Sequence, residues 1–349
     1  MKAYLLLGNG QKFEGIRFGA SKDSLFEVVF NTNMVGYSGI LSNPAYYGLG
    51  VVMTYPLIGN YGICSADFDG IIPHVGSFIV REVSNAPSNF RCDTTLDEFM
   101  KKHGISGISG VDTRAITKII RSEGAMNAMI TDEVTDAKIK AVKEFVPEKA
   151  IMKVTTNALI QSGTSKKKAA VLNLGCQKPL LDSLSKRFGE VRVFNAVVSA
   201  DDILGYAPDG IFLSDGPGNP KDYPEITEQI KKLYDSSLPI FAVGMGHLML
   251  ASAAGLDTER LPYGHVGASI PVRVHKKGKC RITVQNSLYT VTNNVNPDIA
   301  EISAVNVNDS TCEGLDYKNR NIISIQYIPV TDDTECIFDE FYTMTGGTL

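Results

Sequence analysis

The sequence predicts an α/β protein with two domains. A β-rich α+β domain is expected over residues 1–152, a linker over 153–168, and a doubly wound domain with a mostly parallel sheet over 169–349. Three observations lead to this prediction. Short apolar runs broken by glycines fill the first part of the chain, a polar segment without periodicity lies near residue 160, and strand patterns then alternate with helical patterns.

The amino-terminal domain begins with a predicted hairpin. Two runs with strand character, residues 4–7 and 12–18, flank the turn sequence Gly8-Asn9-Gly10. The further elements expected in this half are strands at 27–31 and 50–54 and helices at 96–102 and 114–122. This half is therefore expected to be mixed and rich in strand.

The linker and the second domain have different patterns. Residues 161–168 are polar and lack periodicity, which is typical of a linker. The elements expected after it are strands at 169–174, 190–195, 210–214 and 240–243, and helices at 180–188, 200–205, 223–236 and 246–254. Such alternation predicts a parallel sheet with helices on both faces. Shorter runs from residue 270 onward predict antiparallel strands at one edge.

Composition excludes several classes of protein. With 349 residues, 44% of them hydrophobic, the chain can bury two cores. A net charge of −4 argues against nonspecific nucleic-acid binding, and no apolar run reaches the roughly 20 residues of a membrane-spanning helix. The cysteines form no CxxC pair, the histidines show no metal-ligand spacing, and no signal peptide is evident. We expect a cytoplasmic protein without a bound metal.

Two loops at the carboxyl ends of predicted strands are candidate ligand sites, because doubly wound sheets bind ligands there. Residues 213–220, Leu-Ser-Asp-Gly-Pro-Gly-Asn-Pro, fix the backbone, and from the residues alone they form either a rigid turn or a ligand cradle. Gly244 lies at the tip of the other loop, where a buried strand turns sharply into a helix. A glycine there has no side chain with which to do chemistry.

Several motifs resemble the small subunit of carbamoyl-phosphate synthetase. Residues 213–220 resemble its Leu-Ser-Asn-Gly-Pro-Gly-Asp-Pro, and residues 27–37, Glu-Val-Val-Phe-Asn-Thr-Asn-Met-Val-Gly-Tyr, resemble a motif of its amino-terminal domain. Residues 242–250 resemble Gly-Ile-Cys-Leu-Gly-His-Gln-Leu-Leu, the nucleophile turn of class I glutamine amidotransferases. The resemblance implies a small-subunit amino-terminal domain followed by a class I glutamine amidotransferase-like, flavodoxin-like domain.

The resemblance also implies that the glutaminase triad is lost. Glutamine hydrolysis needs a cysteine nucleophile, a histidine base and a carboxylate that orients the histidine. The cysteine position is Gly244, and the Gln-Tyr-His-Pro-Glu motif is Gln326-Tyr327-Ile328-Pro329-Val330, so that Ile328 and Val330 replace the base and its partner. We also expect glycine to be more stable than cysteine at such a strained turn.

Parts of the glutamine-binding site are expected to remain as a remnant. By the resemblance, Gly216, Gly218 and the N–H of Met245 match the oxyanion hole, whereas Leu248 replaces a glutamine and Ala45 a serine that hold substrate. The complete predicted remnant is Ala45, Gly216, Gly218, Met245, Leu248, Asn286, Leu288 and Tyr289.

The resemblance implies a partner. In that family the small subunit passes ammonia from glutamine to a large subunit, which uses bicarbonate and ATP to make carbamoyl phosphate for arginine and pyrimidine synthesis. This sequence has no P-loop, so ATP and its metal ion are expected on the large subunit, which would work from free ammonia. Two alternatives stay open: a stand-alone binding or regulatory module, and a hydrolase that uses Cys176 with His247 or His265.

Overall fold

Two compact units make up the chain. The computed structural model describes residues 1–64, 72–161, 165–276 and 278–348. Unit 1 comprises Met1–Ala150 and Pro262–Val266, and unit 2 comprises Ile151–Leu261 and Gly267–Leu349. This division differs from the predicted domains because Pro262–Val266, a short segment from the middle of the second half, belongs to unit 1. The first boundary lies close to the predicted end of the amino-terminal domain.

Unit 1 is built on a closed barrel. Its strands are β1 (Lys2–Leu7), β2 (Lys12–Gly19), β3 (Ser24–Asn31), β4 (Leu49–Met53), β5 (Leu57–Ile58), β6 (Ser77–Ile79), β7 (Glu82–Val83), β8 (Ser106–Ser109) and β9 (Met126–Thr131). Its helices are α1 (Tyr37–Ser42), α2 (Leu96–Lys102), α3 (Thr113–Glu123) and α4 (Asp136–Glu144). Within the described residues, the barrel order is β1-β2-β8-β6-β4-β3-β9, and β9 pairs with β1 to close it.

The amino-terminal hairpin is confirmed. β1 and β2 pair antiparallel around the turn at Gly8-Asn9-Gly10, with Leu5 opposite Phe13. Helix α2 begins with a capping box. Thr95 Oγ1 accepts a hydrogen bond from the N–H of Glu98, and the Glu98 carboxylate accepts one from the N–H of Thr95. The barrel interior is apolar and includes Leu5, Phe26, Val28 and Ile108, each fully buried.

Unit 2 contains one large sheet. Its elements are α5 (Ile151–Val154), β10 (Ala158–Gln161), β11 (Lys168–Asn173), α6 (Lys178–Ser185), β12 (Glu190–Asn195), α7 (Ala200–Gly205), β13 (Gly210–Leu213), α8 (Pro224–Asp235), β14 (Ile240–Val243), α9 (Met245–Ala253), β15 (Thr258–Val274), β16 (Lys279–Val291), β17 (Ala300–Asn306), β18 (Cys312–Tyr317), β19 (Ile322–Ile325) and α10 (Asp332–Met344). The sheet order is β10-β12-β11-β13-β14-β19-β18-β17-β15-β16.

The centre of this sheet is parallel, as predicted. Strands β12, β11, β13, β14 and β19 run parallel in the order of a flavodoxin-like fold. β17 and β18 form the antiparallel extension that the shorter apolar runs predicted. Two apolar cores pack on the sheet, one with α8 and α9 and the other with α6 and α10. The fold class is therefore confirmed as mixed α/β with a doubly wound second unit.

The predicted linker, residues 153–168, contains regular structure. β10 falls inside it and pairs antiparallel with β12, from Ala158 opposite Val193 to Gln161 opposite Glu190. Residues 162–164 lie outside the described residues. The polar sequence hid this strand because β10 is an edge strand and most of its side chains face solvent.

Candidate functional site

The candidate site lies at the carboxyl ends of the parallel strands of unit 2. Four strands end there, and each is followed by a polar or glycine residue at the point where the chain leaves the sheet. β11 leads to Cys176, β13 to Asp215, β14 to Gly244 and β19 to Gln326. We call these four residues and the loops that carry them the carboxyl-end site. Its position is the one at which doubly wound sheets bind ligands.

Gly244 occupies a strained turn. It precedes α9 with φ 54° and ψ −112°, a backbone conformation that residues with a Cβ rarely adopt. Its N–H donates to the carbonyl of Ile325 at 3.0 Å, and its carbonyl accepts from the N–H of Leu248 at 3.1 Å. A Cβ at this position would lie 3.0 Å from the Cβ of Asp215. A side chain here is therefore opposed by both the backbone and its neighbour.

Ile328 lies beside Gly244. Its Cδ1 would be 3.6 Å from a Cβ at position 244, and its side chain is buried in the core shared by α6 and α10. The N–H of Ile328 donates to the carbonyl of Val284 at 2.9 Å, which fixes this segment against β16. The structure thus brings together the two positions that the motifs align with a nucleophile and a base, and both lack a titratable group.

The remaining predicted residues are divided between the units. Val330 is 38% exposed, and its N–H donates to the carbonyl of Ile328. Leu248 is buried in the apolar core beneath α9, whereas Met245 begins that helix. The loop glycines Gly216 and Gly218 follow β13, and Asn286, Leu288 and Tyr289 lie together on β16. Ala45 belongs to unit 1, where it is buried in the turn Pro44–Tyr46.

Asp215 is the charged group of the site. Its side chain is 2% exposed, and Oδ2 accepts a hydrogen bond from Gln177 Nε2 at 2.6 Å. Burial raises the pKa of this carboxyl to about 7 because the charged form loses its hydration, although the Gln177 bond partly offsets that effect. Among the described residues Oδ1 has no hydrogen-bond partner.

Cys176 lies close to this carboxyl. Its backbone N–H and that of Gly175 donate to Asn173 Oδ1 at 2.7 and 3.0 Å, so the loop after β11 is held firmly. Burial, and then the negative charge of Asp215, raise the pKa of the Cys176 thiol well above its usual range. A thiol in this environment is a poor source of thiolate.

His247 lies on the first turn of α9 and is fully buried. Its Nδ1 lies 2.7 Å from Ser324 Oγ, so the ring is held between the helix and β19. Burial lowers its pKa to about 3 because the imidazolium would lose its hydration. The imidazole is neutral at physiological pH and packs in the interior.

Sequence reasoning did not include Asp215, Gln177 or Gln326 in the predicted site. The exchange of acid and amide at Asp215 was visible in the motif, but its burial was not. Gln326 is 3% exposed, and neither polar atom of its side chain has a hydrogen-bond partner among the described residues. It is the last residue of the apolar run 322–326, one of the shorter runs expected to form strands, and this place at a strand end was the signal that could have identified it. In the described ranges, no cluster of His, Cys, Asp and Glu is arranged to hold a metal ion.

Two family models match successive parts of the chain. Residues 5–130 match the family model for the carbamoyl-phosphate synthase small chain, CPSase domain, and residues 170–344 match that for glutamine amidotransferase class-I. Within the described residues no helix is long and apolar enough to cross a membrane. A glutamine amidotransferase structure from Thermotoga maritima is similar over 50% of this chain and 81% of its own, with a TM-score of 0.38 and 12% identity.

Curated relatives cover the whole chain. The carbamoyl phosphate synthase small chain of Bacillus caldolyticus is 40% identical over 99% of this chain and 96% of its own length. The small chain of Clostridium perfringens is 40% identical over 98% of this chain and 99% of its own length. The pyrimidine-specific small chain of Bacillus subtilis is 39% identical over 100% of this chain and 97% of its own length. With both domains matched in order and relatives of this identity, the chain belongs to the carbamoyl-phosphate synthase small-chain family and carries a class I glutamine amidotransferase domain.

Proposed function

We propose that this chain is a small subunit that does not hydrolyse glutamine and that supports ammonia-dependent carbamoyl phosphate synthesis by a large synthetase subunit. The observation that carries the proposal is the pairing of Gly244 with Ile328. The family chemistry needs a thiol beside an imidazole. In this chain position 244 has no side chain, and Cδ1 of the aliphatic Ile328 would lie 3.6 Å from a Cβ there.

The remaining groups of the carboxyl-end site do not replace that pair. The raised pKa of Cys176 disfavours the thiolate, and the pKa of His247, lowered to about 3, leaves a weak base held against Ser324. Val330 offers no carboxylate to orient a histidine. These features support a site without covalent catalysis, and they argue against a hydrolase built on Cys176.

The substrate clamp is also altered. Leu248 faces the apolar core under α9 and offers no hydrogen bond to a glutamine amide. A site that must bind a polar side chain through unmatched groups loses about 1–3 kcal/mol for each buried group left unpaired. Weak glutamine binding is therefore part of the proposal.

The chemistry that requires nucleotide is assigned to the partner. The sequence holds no P-loop, so ATP and its metal ion would bind the large subunit, and the complex would act in the cytoplasm in arginine or pyrimidine synthesis. This chain would contribute its retained scaffold, and the large subunit would use free ammonia.

The test is reconstitution with the cognate large subunit. The complex is expected to make carbamoyl phosphate from ammonia, bicarbonate and ATP, and to show no activity with glutamine above that of the large subunit alone. Gly244→Cys alone should not change this result, because Ile328 and Val330 still lack a base and its partner. Glutamine-dependent synthesis that is lost in Cys176→Ser would contradict the proposal.

A stand-alone binding module is the second candidate function. It is favoured by the buried polar atoms of Asp215 and Gln326 that have no partner among the described residues. Titration calorimetry with glutamine, glutamate and nucleotides separates the two functions. Micromolar binding of one of them, without any complex with the large subunit, would replace the first proposal by this one.

A further inference from the structure

Unit 1 has a long segment without charge. From Val28 to Cys64 the sequence contains no Asp, Glu, Lys or Arg, although these make up 21% of the chain. Much of this segment is buried, in β3 and β4 and also in α1, the turn Pro44–Tyr46 and residues 58–64, but the loop between β3 and α1 is exposed. In that loop Met34 is 68% exposed and Val35 is 70% exposed. Two large apolar side chains therefore face solvent where charged residues would be expected.

Among the residues of unit 1 that the structure describes, Phe90 has the most exposed large apolar side chain. It is 96% exposed, on the loop that connects β7 to α2. A solvated phenylalanine gains nothing in folding, because it removes almost no apolar surface from water. Aromatic side chains are enriched in surfaces that bind other proteins.

The loop of Met34 and Val35 is held in place by two tyrosines. Tyr61 Oη accepts hydrogen bonds from the N–H groups of Gly36 and Tyr37 at 2.9 and 3.0 Å. The Tyr37 and Tyr61 rings stack with centroids 4.2 Å apart, and Tyr37 Oη donates to the carbonyl of Gly62 at 2.6 Å. The apolar side chains thus project from a loop that is already ordered.

The loop of Phe90 is joined to the same structure. The N–H of Ser88 donates to the carbonyl of Asn60 at 3.0 Å, and the N–H of Cys92 donates to the carbonyl of Asn89 at 3.0 Å. A Cβ at Gly62 would lie 2.2 Å from Cys92 Sγ, so the Phe90 loop contacts the Tyr61–Gly62 segment that holds the loop of Met34 and Val35. We call Met34, Val35 and Phe90, with the loops that carry them, the apolar loop cluster.

We propose that the apolar loop cluster is the surface by which this chain docks on the large synthetase subunit, against an uncharged, apolar face of that subunit. This proposal rests on the function proposed above, in which this chain associates with a large synthetase subunit. The exposed loop between β3 and α1 carries no charged residue, which fits an interface with a permanent partner, since such interfaces are apolar and depleted of charge at their centre. Arg91 and Asp93 are exposed beside Phe90 and would lie at the polar rim of such an interface.

Order in the free chain favours binding. Because Tyr61 and the Ser88 contact already fix both loops, docking need not order them, and little affinity is lost to loop entropy. Phe90 is the expected anchor, since aromatic side chains at the centre of interfaces carry a large share of the binding energy.

The experiment compares matched serine variants of the full-length chain. Val35→Ser removes an apolar side chain inside the cluster, and Val146→Ser removes the same side chain, 80% exposed, from another part of unit 1. Binding of each variant to the immobilised large subunit is measured by interferometry. We expect Phe90→Ser to weaken binding by about tenfold or more and Val35→Ser by roughly threefold, with Val146→Ser close to wild type.

Hydrogen exchange of the wild-type chain gives a second readout that does not depend on a variant. Addition of the large subunit should slow exchange in residues 33–37 and 86–92. If Phe90→Ser and Val35→Ser bind as tightly as wild type and exchange in residues 33–37 and 86–92 is not slowed, the proposed docking surface is wrong. The proposed association with the large subunit would remain. No binding by the wild-type chain would overturn both. Self-association that Phe90→Ser abolishes would identify a second copy of this chain as the occupant and overturn the proposal.

Discussion

At the scale of single residues, Asp215 stands out because a carboxyl has been placed in the interior. Its neighbours are Gln177, which donates to one oxygen, and Cys176, whose thiol is kept protonated. The quoted family motif has asparagine at this position, and an amide carries no charge to desolvate. The carboxyl therefore costs stability whenever it is ionised.

This cost predicts a pH dependence. The pKa of Asp215 is raised to about 7 in the folded chain, against about 3.9 in the unfolded chain, so the folded state binds the proton more tightly. The contribution of Asp215 to stability should fall as pH rises from about 4 to about 7, by no more than about 4 kcal/mol, and then stay level. Asp215→Asn removes this loss.

Urea unfolding at two pH values tests the effect. Asp215→Asn should be about as stable as wild type at pH ~4 and more stable by up to about 4 kcal/mol at pH ~8. Asp298→Asn, an exposed aspartate of the same unit, is the control and should show no such difference. An Asp215→Asn advantage that is equal at both pH values would contradict the assignment.

At the scale of elements, α9 and β13 approach each other through Gly246. A Cβ at this glycine would lie 2.4 Å from the carbonyl oxygen of Leu213, which is closer than any real side-chain contact. The N–H of Gly246 also donates to the carbonyl of Ser214 at 2.9 Å. This close packing brings the start of α9, and with it Gly244, against the loop that carries Asp215.

Two glycine-to-alanine variants test the importance of this approach. Gly246→Ala should lower the free energy of unfolding by about 2–4 kcal/mol, because backbone atoms must move apart. Gly39→Ala in α1 meets no atom within 4 Å and should raise stability by about 0.5–1 kcal/mol through helix propensity. Chemical denaturation measures both, and a neutral Gly246→Ala would show that α9 can shift freely.

At the scale of the whole molecule, unit 1 includes a segment that is distant in sequence. Pro262–Val266 belongs to it, with the N–H of Ala125 donating to the carbonyl of Pro262 at 2.8 Å. The ring of Tyr263 lies 5.9 Å from that of Phe30 and packs on the barrel core. The stability of unit 1 therefore depends on residues far beyond its predicted carboxyl boundary.

Tyr263→Ala tests this dependence. It should reduce the stability of unit 1 by about 1–3 kcal/mol through lost burial, whereas Tyr263→Phe keeps the ring and should stay within about 0.5 kcal/mol of wild type. Hydrogen exchange resolved by strand measures the effect, which should appear in β3 and β9. Faster exchange confined to β11 and β13 would show that the segment supports unit 2 instead.

Local sequence pattern predicted much of this protein. The hairpin around Asn9, the parallel strands β11 to β14, and the turn at Gly244 all follow from the spacing of apolar side chains and from glycine. β10 was missed because an edge strand does not need an apolar face. The motifs aligned Gly244 with the nucleophile and Ile328 with the base, and the structure brings these two residues together.

The sequence by itself determined the family, the order of the two domains and which residues the motifs align with the glutaminase triad, because these depend on residue identity and local period. Only the tertiary structure decided the closure of the barrel, the assignment of Pro262–Val266 to unit 1 and the burial of Asp215 and Gln326. The physical reason is that strand pairing, burial and the resulting pKa values depend on neighbours distant in sequence, which no local pattern specifies.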